Sequence, residues 1–332
     1  MAKDTTPTPD PSTGMAFERP IAEIEAKIAE LEALSLSTRL DISGEIEELK
    51  AKLHQKIDET YADLSAWDRV QVARHENRPV TGDYVETILD DFFELHGDRA
   101  YGDDHAMLTG LATMEGRRFM LVGHRKGTTT KERLACNFGC AHPEGYRKAW
   151  RKMKLAEKMR LPIVTLINTP GAYPGIGAEE RGQALAIAEN IMGMFTLRVP
   201  IVVLVIGEGG SGGALGIGVG DRVLMMEHAY YSVISPEGCA AILWKDGKRS
   251  PEAAEALKLT ATDLSQLGVI DEIVREPMGG AHRAKSVAMT EVKRVLLRNL
   301  DELAKIDPVE LLRQRREKYR KIAHIDGRFP TA

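Results

Sequence analysis

The residues best placed to do chemistry form one glycine-rich segment, Gly207-Glu208-Gly209-Gly210-Ser211-Gly212-Gly213-Ala214. It follows the apolar stretch IVVLVI and precedes a short helical pattern. Glycine has no Cβ, so a substrate can approach its backbone closely. The first N–H groups of a helix lack intrahelical partners and carry partial positive charge. We therefore interpret the peptide N–H groups of Gly212 and Gly213 as an oxyanion hole, with Gly209 and Gly210 in the substrate-binding turn.

The same glycines also match a dinucleotide-binding fingerprint. Gly207, Gly209 and Gly212 fit G-x-G-x-x-G, and Glu227 lies near the end of the next predicted strand, where a ribose-binding acid is expected. A Rossmann crossover needs a full-length helix after the turn, whereas this sequence offers only GALGIGVG. The motif also comes late in the sheet rather than opening it. We therefore favour the oxyanion interpretation.

A third interpretation is a nucleophile elbow, because residues 209–213 match G-x-S-x-G. Ser211 would then be the nucleophile, with His228 or His282 as its base. Neither histidine lies in a local motif that supports this role, and a glycine-rich stretch produces the pattern easily by chance. The elbow stays open as the less favoured alternative.

A second loop follows the same plan, since Asn168-Thr169-Pro170-Gly171-Ala172-Tyr173-Pro174-Gly175 comes after the apolar stretch IVTLI and before a helical pattern. Loops that leave the carboxyl ends of parallel strands meet at one edge of the sheet, where ligands of open α/β sheets bind. We expect Gly171 and Ala172 to form part of the pocket wall.

The elements that must position these loops have the pattern of an α/β protein. Apolar runs predict strands at Leu108–Met114, Phe119–Gly123, Ile163–Ile167, Ile201–Ile206, Val223–Met226 and Tyr231–Ile234. Amphipathic stretches at Pro143–Arg160 and Ala178–Phe195 predict helices between them. This alternation favours a largely parallel sheet covered by helices on both faces.

Outside this core the sequence predicts three further segments. Residues 1–16 are rich in Thr, Pro and Asp and are expected to be disordered. Residues 17–80 carry two apolar stripes at helical spacing, which predict a helical hairpin arm. The core occupies residues 81–282, and residues 283–332 return to helices that end in the basic run RQRREKYRK, interpreted as a solvated helix face.

Composition limits the classes of function. The 332 residues have an ordinary globular composition and a net charge of −4, so we do not expect nucleic acid as a partner. Three cysteines, Cys136, Cys140 and Cys239, provide no disulfide framework, and the C-x-x-x-C pair in CNFGC lacks a second pair for a metal site. There is no signal-peptide core and no membrane-length apolar run, so a cytoplasmic protein is expected.

Several long motifs in the right order resemble the alpha subunits of the acetyl-CoA carboxylase carboxyltransferase family. The match includes FERPIAEIEAKI at 17–28, DRAYGDD at 98–104, EGYRKA at 144–149, TPGAYPGIGAEERGQ at 169–183, GEGGSGGALGIGVGD at 207–221 and YSVISPEGCAAILW at 231–244. It extends from Phe17 to the last helices. The resemblance implies a crotonase-type fold of repeated ββα units, closed by the segment LSQLGVIDEIV.

The resemblance also implies an activity and partners. A beta subunit of similar fold would complete the active site, in an assembly of two alpha and two beta chains, and would carry the zinc. Biotin would arrive on a biotin carboxyl carrier protein, loaded by an ATP-dependent biotin carboxylase. Carboxyl transfer to acetyl-CoA would give malonyl-CoA, the first committed step of fatty acid biosynthesis. In this family the glycine pair at Gly212 and Gly213 would stabilise the biotin oxygen.

Three other functions remain as alternatives. A crotonase-type acyl-CoA hydratase or hydrolase would act alone and would use a carboxylate near the glycine turn, for which Glu179, Glu180 and Glu208 are available. A biotin-dependent decarboxylase subunit would share the half-reaction. A non-catalytic interaction subunit would work through the helical arm and the basic helix.

Overall fold

Stretches rich in valine, isoleucine and leucine form the sheet at the centre of the molecule. The structure is a computed structural model that describes residues 15–38 and 42–322. Within this part the strands are β1 (Asp91–Glu94), β2 (Met107–Met114), β3 (Arg117–His124), β4 (Ile163–Thr169), β5 (Ile201–Gly210), β6 (Arg222–Met226), β7 (Tyr230–Ser232) and β8 (Glu272–Val274). Their order is β1-β2-β3-β4-β5-β6-β8, with β7 paired to β5.

Strand direction divides the sheet into two parts. β1, β2 and β3 are antiparallel neighbours, whereas β3, β4, β5, β6 and β8 run parallel. Every residue of β4 and β5 is buried, as expected for parallel strands with helices on both faces. The predicted α/β class is confirmed.

Helices surround this sheet and also build both ends of the described chain. They are α1 (Arg19–Thr38), α2 (Ser43–Ala62), α3 (Ala66–Arg74), α4 (Thr81–Ile88), α5 (Thr130–Ala135), α6 (Pro143–Met159), α7 (Ile176–Glu180), α8 (Gln183–Met194), α9 (Ser211–Leu215), α10 (Pro236–Trp244), α11 (Ser250–Leu257), α12 (Ala261–Gln266), α13 (Lys285–Leu303) and α14 (Pro308–Lys321). No helix in the described ranges is long and apolar enough to cross a membrane.

Two boundaries differ from the sequence prediction for a physical reason. β5 continues four residues past Ile206 because Glu208, Gly209 and Gly210 pair with β7. The helix predicted over 178–195 is two helices, since Gly182 adopts a φ of +80° that ends one and precedes the next. The two short edge strands, β1 and β8, were not predicted as strands.

The N-terminal arm is a pair of helices whose base contacts the core. Ile21 of α1 and Ile57 and Tyr61 of α2 are buried in one small apolar cluster, and Glu18 accepts a hydrogen bond from Tyr61 at 2.6 Å. Of the segment expected to be disordered, residues 1–14 lie outside the described residues. Met15 is buried and Ala16 begins a 3-10 turn, so these two residues are ordered.

The C-terminal helices pack against the sheet more closely than the basic run suggested. Arg315, in the middle of that run, is buried. It forms a bidentate ion pair with Asp221. Its guanidinium also donates to three main-chain carbonyls, those of Met194, Leu197 and Val199. The prediction of a solvated face is therefore wrong at this residue, because Asp221 supplies a charge partner 94 positions away in the sequence.

Candidate functional site

The two loops singled out in the sequence meet at the carboxyl ends of β4 and β5. Thr169 of β4 pairs with Gly209 of β5, after an irregularity in the ladder that follows Ile167. Asn168, buried at the end of β4, accepts a hydrogen bond from the Glu208 N–H at 3.2 Å. The predicted convergence of the loops is thus present, and it begins inside the sheet.

Glycine is required where the loops touch. A Cβ on Gly210 would collide with the carbonyl of Pro170, and one on Gly213 would lie 2.5 Å from the Gly171 carbonyl carbon. A Cβ on Gly209 would lie 2.9 Å from the Tyr230 carbonyl oxygen. Gly209 and Gly210 are buried strand residues, so their immediate neighbours are protein atoms.

An open cleft of about 500 Å³ lies where the loops separate. Gly171 and Ala172 form one wall, and Ser211 and Gly212 at the start of α9 form the other. Gly213 is buried directly behind Gly212. Of the predicted site residues, the structure therefore places Gly171, Ala172 and Gly212 at the cleft, whereas Gly209, Gly210 and Gly213 support it from inside.

The loop over the cleft is held by its own hydrogen bonds. The Thr169 hydroxyl donates to the Gly171 carbonyl at 2.7 Å and accepts from the Gly171 N–H at 3.1 Å. The Gln183 amide donates to the carbonyls of Ala141 and Tyr173, at 2.9 and 3.0 Å. These contacts keep the pocket wall in place before a ligand arrives.

A buried charge network lies behind the glycine segment, and sequence reasoning did not identify it. The Glu208 carboxylate contacts Lys126, Arg74 at 2.8 Å and the Tyr230 hydroxyl at 2.9 Å. Burial alone would raise the pKa of Glu208, but the Lys126 and Arg74 charges lower it below its ordinary range. Glu208 is therefore a paired carboxylate and a poor general base, and Glu179 and Glu180 are exposed on α7.

The two competing motif interpretations find little support in the geometry. α9 has only five residues, which is too short for a Rossmann crossover, and Glu227 is engaged with Arg275 at 2.6 Å. Ser211 has a φ of +54°, as an elbow serine can, but its hydroxyl makes no hydrogen bond within the described residues. His228 and His282 both contact Tyr61 of the arm instead.

Among the described residues, Glu18, His75 and His282 come nearest to a metal-ligand arrangement, since one ligand atom of each lies within 4.8 Å of the others. The His75 Nδ1 accepts the Asn77 N–H at 3.1 Å, which places the ring proton on Nε2. Histidines that bind metals usually donate from their second nitrogen. Glu18 is already bound by Tyr61 and, at 3.1 Å, by Arg283. These side chains are better described as part of a polar contact between the arm and the core, in which Glu18 binds Tyr61 and Arg283.

The chain matches one family model, "Acetyl co-enzyme A carboxylase carboxyltransferase-like", over residues 14–323. It is 56% identical over 310 residues to "Acetyl-coenzyme A carboxylase carboxyl transferase subunit alpha" of Rhodopirellula baltica, covering 93% of this chain and 97% of that one. A second relative of the same name, from Xanthomonas axonopodis pv. citri, is 54% identical over 94% of this chain and 98% of its own length.

Solved structures show the same fold at low identity. The transcarboxylase 12S core superposes with a TM-score of 0.56 at 19% identity, over 69% of this chain and 42% of that chain. The beta subunit of geranyl-CoA carboxylase from P. aeruginosa gives a TM-score of 0.55 at 18% identity, over 73% of this chain and 45% of its own. The predicted crotonase-type α/β fold is confirmed.

Proposed function

Because this chain belongs to the acetyl-CoA carboxylase carboxyltransferase family, as an alpha subunit, we propose that it transfers the carboxyl group of carboxybiotin to acetyl-CoA, giving malonyl-CoA. The carboxyl donor would be delivered on a biotin carboxyl carrier protein after loading by an ATP-dependent biotin carboxylase. The product would enter fatty acid biosynthesis in the cytoplasm.

The observation that carries this proposal is the position of the α9 N-terminus at the open cleft. At the start of α9, the N–H groups of Gly212, which lines the cleft, and of Gly213, directly behind it, would form an oxyanion hole for the oxygen on which negative charge develops. The cleft between Gly171 and Gly212 leaves room for a small planar group, because neither glycine has a Cβ that would fill it. These features fit the ureido ring of biotin.

Carboxybiotin supplies the carboxyl group: its N–C bond breaks, a C–C bond forms at the acetyl methyl carbon, and the methyl proton passes to the ureido nitrogen. The chain's own contribution is to bind and orient. The α9 amides are fixed in advance, so they stabilise developing charge without reorganising, and losing one such donor typically costs about 2.7–4 kcal/mol. Glu208 is paired with Lys126 and Arg74 and removes no proton.

A beta subunit is the partner that we propose for this chain, in an assembly of two alpha and two beta subunits. Large apolar side chains stand exposed on the segments that border the cleft: Ile176, Leu185 and Val233, the last with 79% of its surface accessible. Exposed apolar side chains grouped beside a cleft are typical of a protein interface. The beta subunit would bind the acyl-CoA and is expected to carry the zinc.

The experiment that tests the function is carboxyl transfer from malonyl-CoA to free biotin. The purified chain is assayed alone, and then as the complex with its co-purifying beta subunit. Activity in the complex only, lost on Gly212→Val with the complex still assembled, supports the proposal, because a Cβ on Gly212 would enter the cleft without a clash. A well-folded complex with no transfer activity contradicts it.

The same samples test the alternatives. A crotonase-type hydratase or hydrolase would turn over an enoyl-CoA or acyl-CoA thioester with the chain alone. A biotin-dependent decarboxylase subunit would release carbon dioxide without forming carboxylated biotin. A non-catalytic interaction subunit would tolerate Gly212→Val, since a Cβ on Gly212 meets no atom nearer than 3.8 Å. The ion pairs of Glu208 count against it as the hydratase's carboxylate, which leaves Glu179, at the cleft, as the candidate for that alternative.

A further inference from the structure

The helix α9 is too short to fix its own orientation. It spans only Ser211–Leu215, and the Gly216 N–H ends it by donating to the Gly212 carbonyl at 2.9 Å. Isolated helices of this length are unstable in water, because the first turn fixes many dihedral angles for one bond. The orientation of its N–H groups must therefore come from the residues that surround it.

Two side chains from different helices bind its carbonyl side. The Tyr146 hydroxyl, from α6, donates to the Gly213 carbonyl at 3.3 Å. The Asn190 amide, from α8, donates to the Gly216 carbonyl and to the Tyr146 carbonyl, both at 3.0 Å. Both residues are buried, Tyr146 completely and Asn190 with 1% of its surface accessible.

The Tyr146 ring also explains why position 216, outside the pair Gly212 and Gly213, is a glycine. A Cβ on Gly216 would lie 2.6 Å from the Tyr146 ring, so the ring and α9 are in direct contact along this face. His124, also fully buried, faces the Gly213 carbonyl without a well-formed hydrogen bond. Burial lowers the pKa of His124 to about 3, so the ring is neutral at pH 7 and places no charge behind the helix.

The carbonyls and the N–H groups of a helix point to opposite ends of its axis. Restraining the carbonyls of Gly213 and Gly216 therefore restrains the direction of the N–H groups of Gly212 and Gly213. We propose that Tyr146 and Asn190 are positioning residues, which act through α9 to direct the oxyanion-binding amides into the cleft. This inference rests on the proposed function.

The test compares two tyrosine-to-phenylalanine changes in the full complex. Tyr146→Phe removes only the hydroxyl that holds Gly213 and keeps the ring against Gly216. Tyr84→Phe is the matched control: its hydroxyl contacts Met226 Sδ at 3.2 Å, it is 1% exposed, and it makes no hydrogen bond to α9. We expect Tyr146→Phe to lower kcat roughly tenfold and to leave the KM for malonyl-CoA unchanged, because a small misalignment of catalytic dipoles slows chemistry.

A second measurement does not depend on activity. Amide hydrogen exchange over residues 207–221 of the full chain should speed up in Tyr146→Phe and stay at the wild-type rate in Tyr84→Phe, since exchange follows local opening. A wild-type kcat in Tyr146→Phe overturns the inference, and so does an equal loss in Tyr84→Phe. Should the wild-type complex show no transfer, the proposed function fails, and unchanged exchange in Tyr146→Phe would then overturn the positioning role separately.

Discussion

Gly213 lies directly against Gly171, so that a Cβ on Gly213 would be 2.5 Å from the Gly171 carbonyl carbon. The first residue belongs to the short helix after β5, and the second to the loop after β4. The two halves of the cleft are therefore fixed relative to each other by backbone contact. A rigid backbone contact suits a site whose donors must not move during the reaction.

Gly213→Ala should disturb both walls of the cleft at once. Overpacking of this kind typically costs about 1–3 kcal/mol, so we expect a lower Tm together with a large loss of carboxyl transfer. Gly212→Ala is the control for stability, because the nearest atom to its Cβ would be 3.8 Å away, on Ile187. Differential scanning calorimetry of the two variants checks this. Equal Tm losses would contradict the packing argument.

The sequence predicted much of this arrangement and missed the parts that depend on distant partners. Loops at the carboxyl ends of neighbouring parallel strands must converge, so the order of strands and loops along the chain was enough to predict that Gly171 and Gly212 lie together. The contacts behind them gave no local signal. Lys126 and Glu208 are 82 positions apart, and Tyr146 and Gly213 are 67 apart. Periodicity reports which face of an element is buried, and it does not report which polar side chains meet there.

The basic C-terminal run also shows that the sequence does not report distant polar partners. Its density of charge predicted a solvated face. Arg313 fits this, because its ion pairs within the described chain are to Glu310 and Glu317 on the same helix. Arg315, two residues later, is buried because Asp221 and three carbonyls satisfy its guanidinium. Arg315 is four residues from both Leu311 and Tyr319, on the packed face of the helix, but no local signal in the sequence identifies Asp221 as its partner.

Arg315→Ala should destabilise the protein far more than Arg313→Ala does. Removing Arg315 leaves Asp221 buried without its partner, a change that typically costs about 3–5 kcal/mol. Exposed ion pairs such as those of Arg313 are screened by solvent and contribute little to stability. Urea denaturation of both variants measures the difference. Similar unfolding midpoints would show that α14 does not depend on the buried ion pair.

Stability should also depend on pH through His124. Burial lowers the pKa of His124 to about 3 from its ordinary value of 6.5. Below pH 6.5 the unfolded chain therefore binds a proton that the folded chain does not, so folding free energy is lost as the pH falls from 6.5 towards 3. The slope from this group is about 1.4 kcal/mol per pH unit.

His124→Asn should reduce that slope, whatever it does to stability at neutral pH. His54→Asn, a change at an exposed residue of α2, is the matched control. Urea unfolding at several pH values between 6.5 and 4 measures the slopes. If His124→Asn leaves the slope as steep as in the control, the buried ring does not contribute the acid sensitivity that we predict.

Val233 provides the sharpest test of where a beta subunit binds. Its side chain lines the cleft yet has 79% of its surface accessible, and a carboxylate placed there would be desolvated when a partner covers it. We expect Val233→Asp to weaken assembly at least roughly tenfold, equivalent to about 1.4 kcal/mol. Val309→Asp, at a valine 69% accessible on the distant helix α14, should leave assembly unchanged. Titration calorimetry with the beta subunit compares the two. If Val309→Asp disrupts the complex and Val233→Asp does not, the partner covers the C-terminal helices, and the cleft is completed by this chain alone.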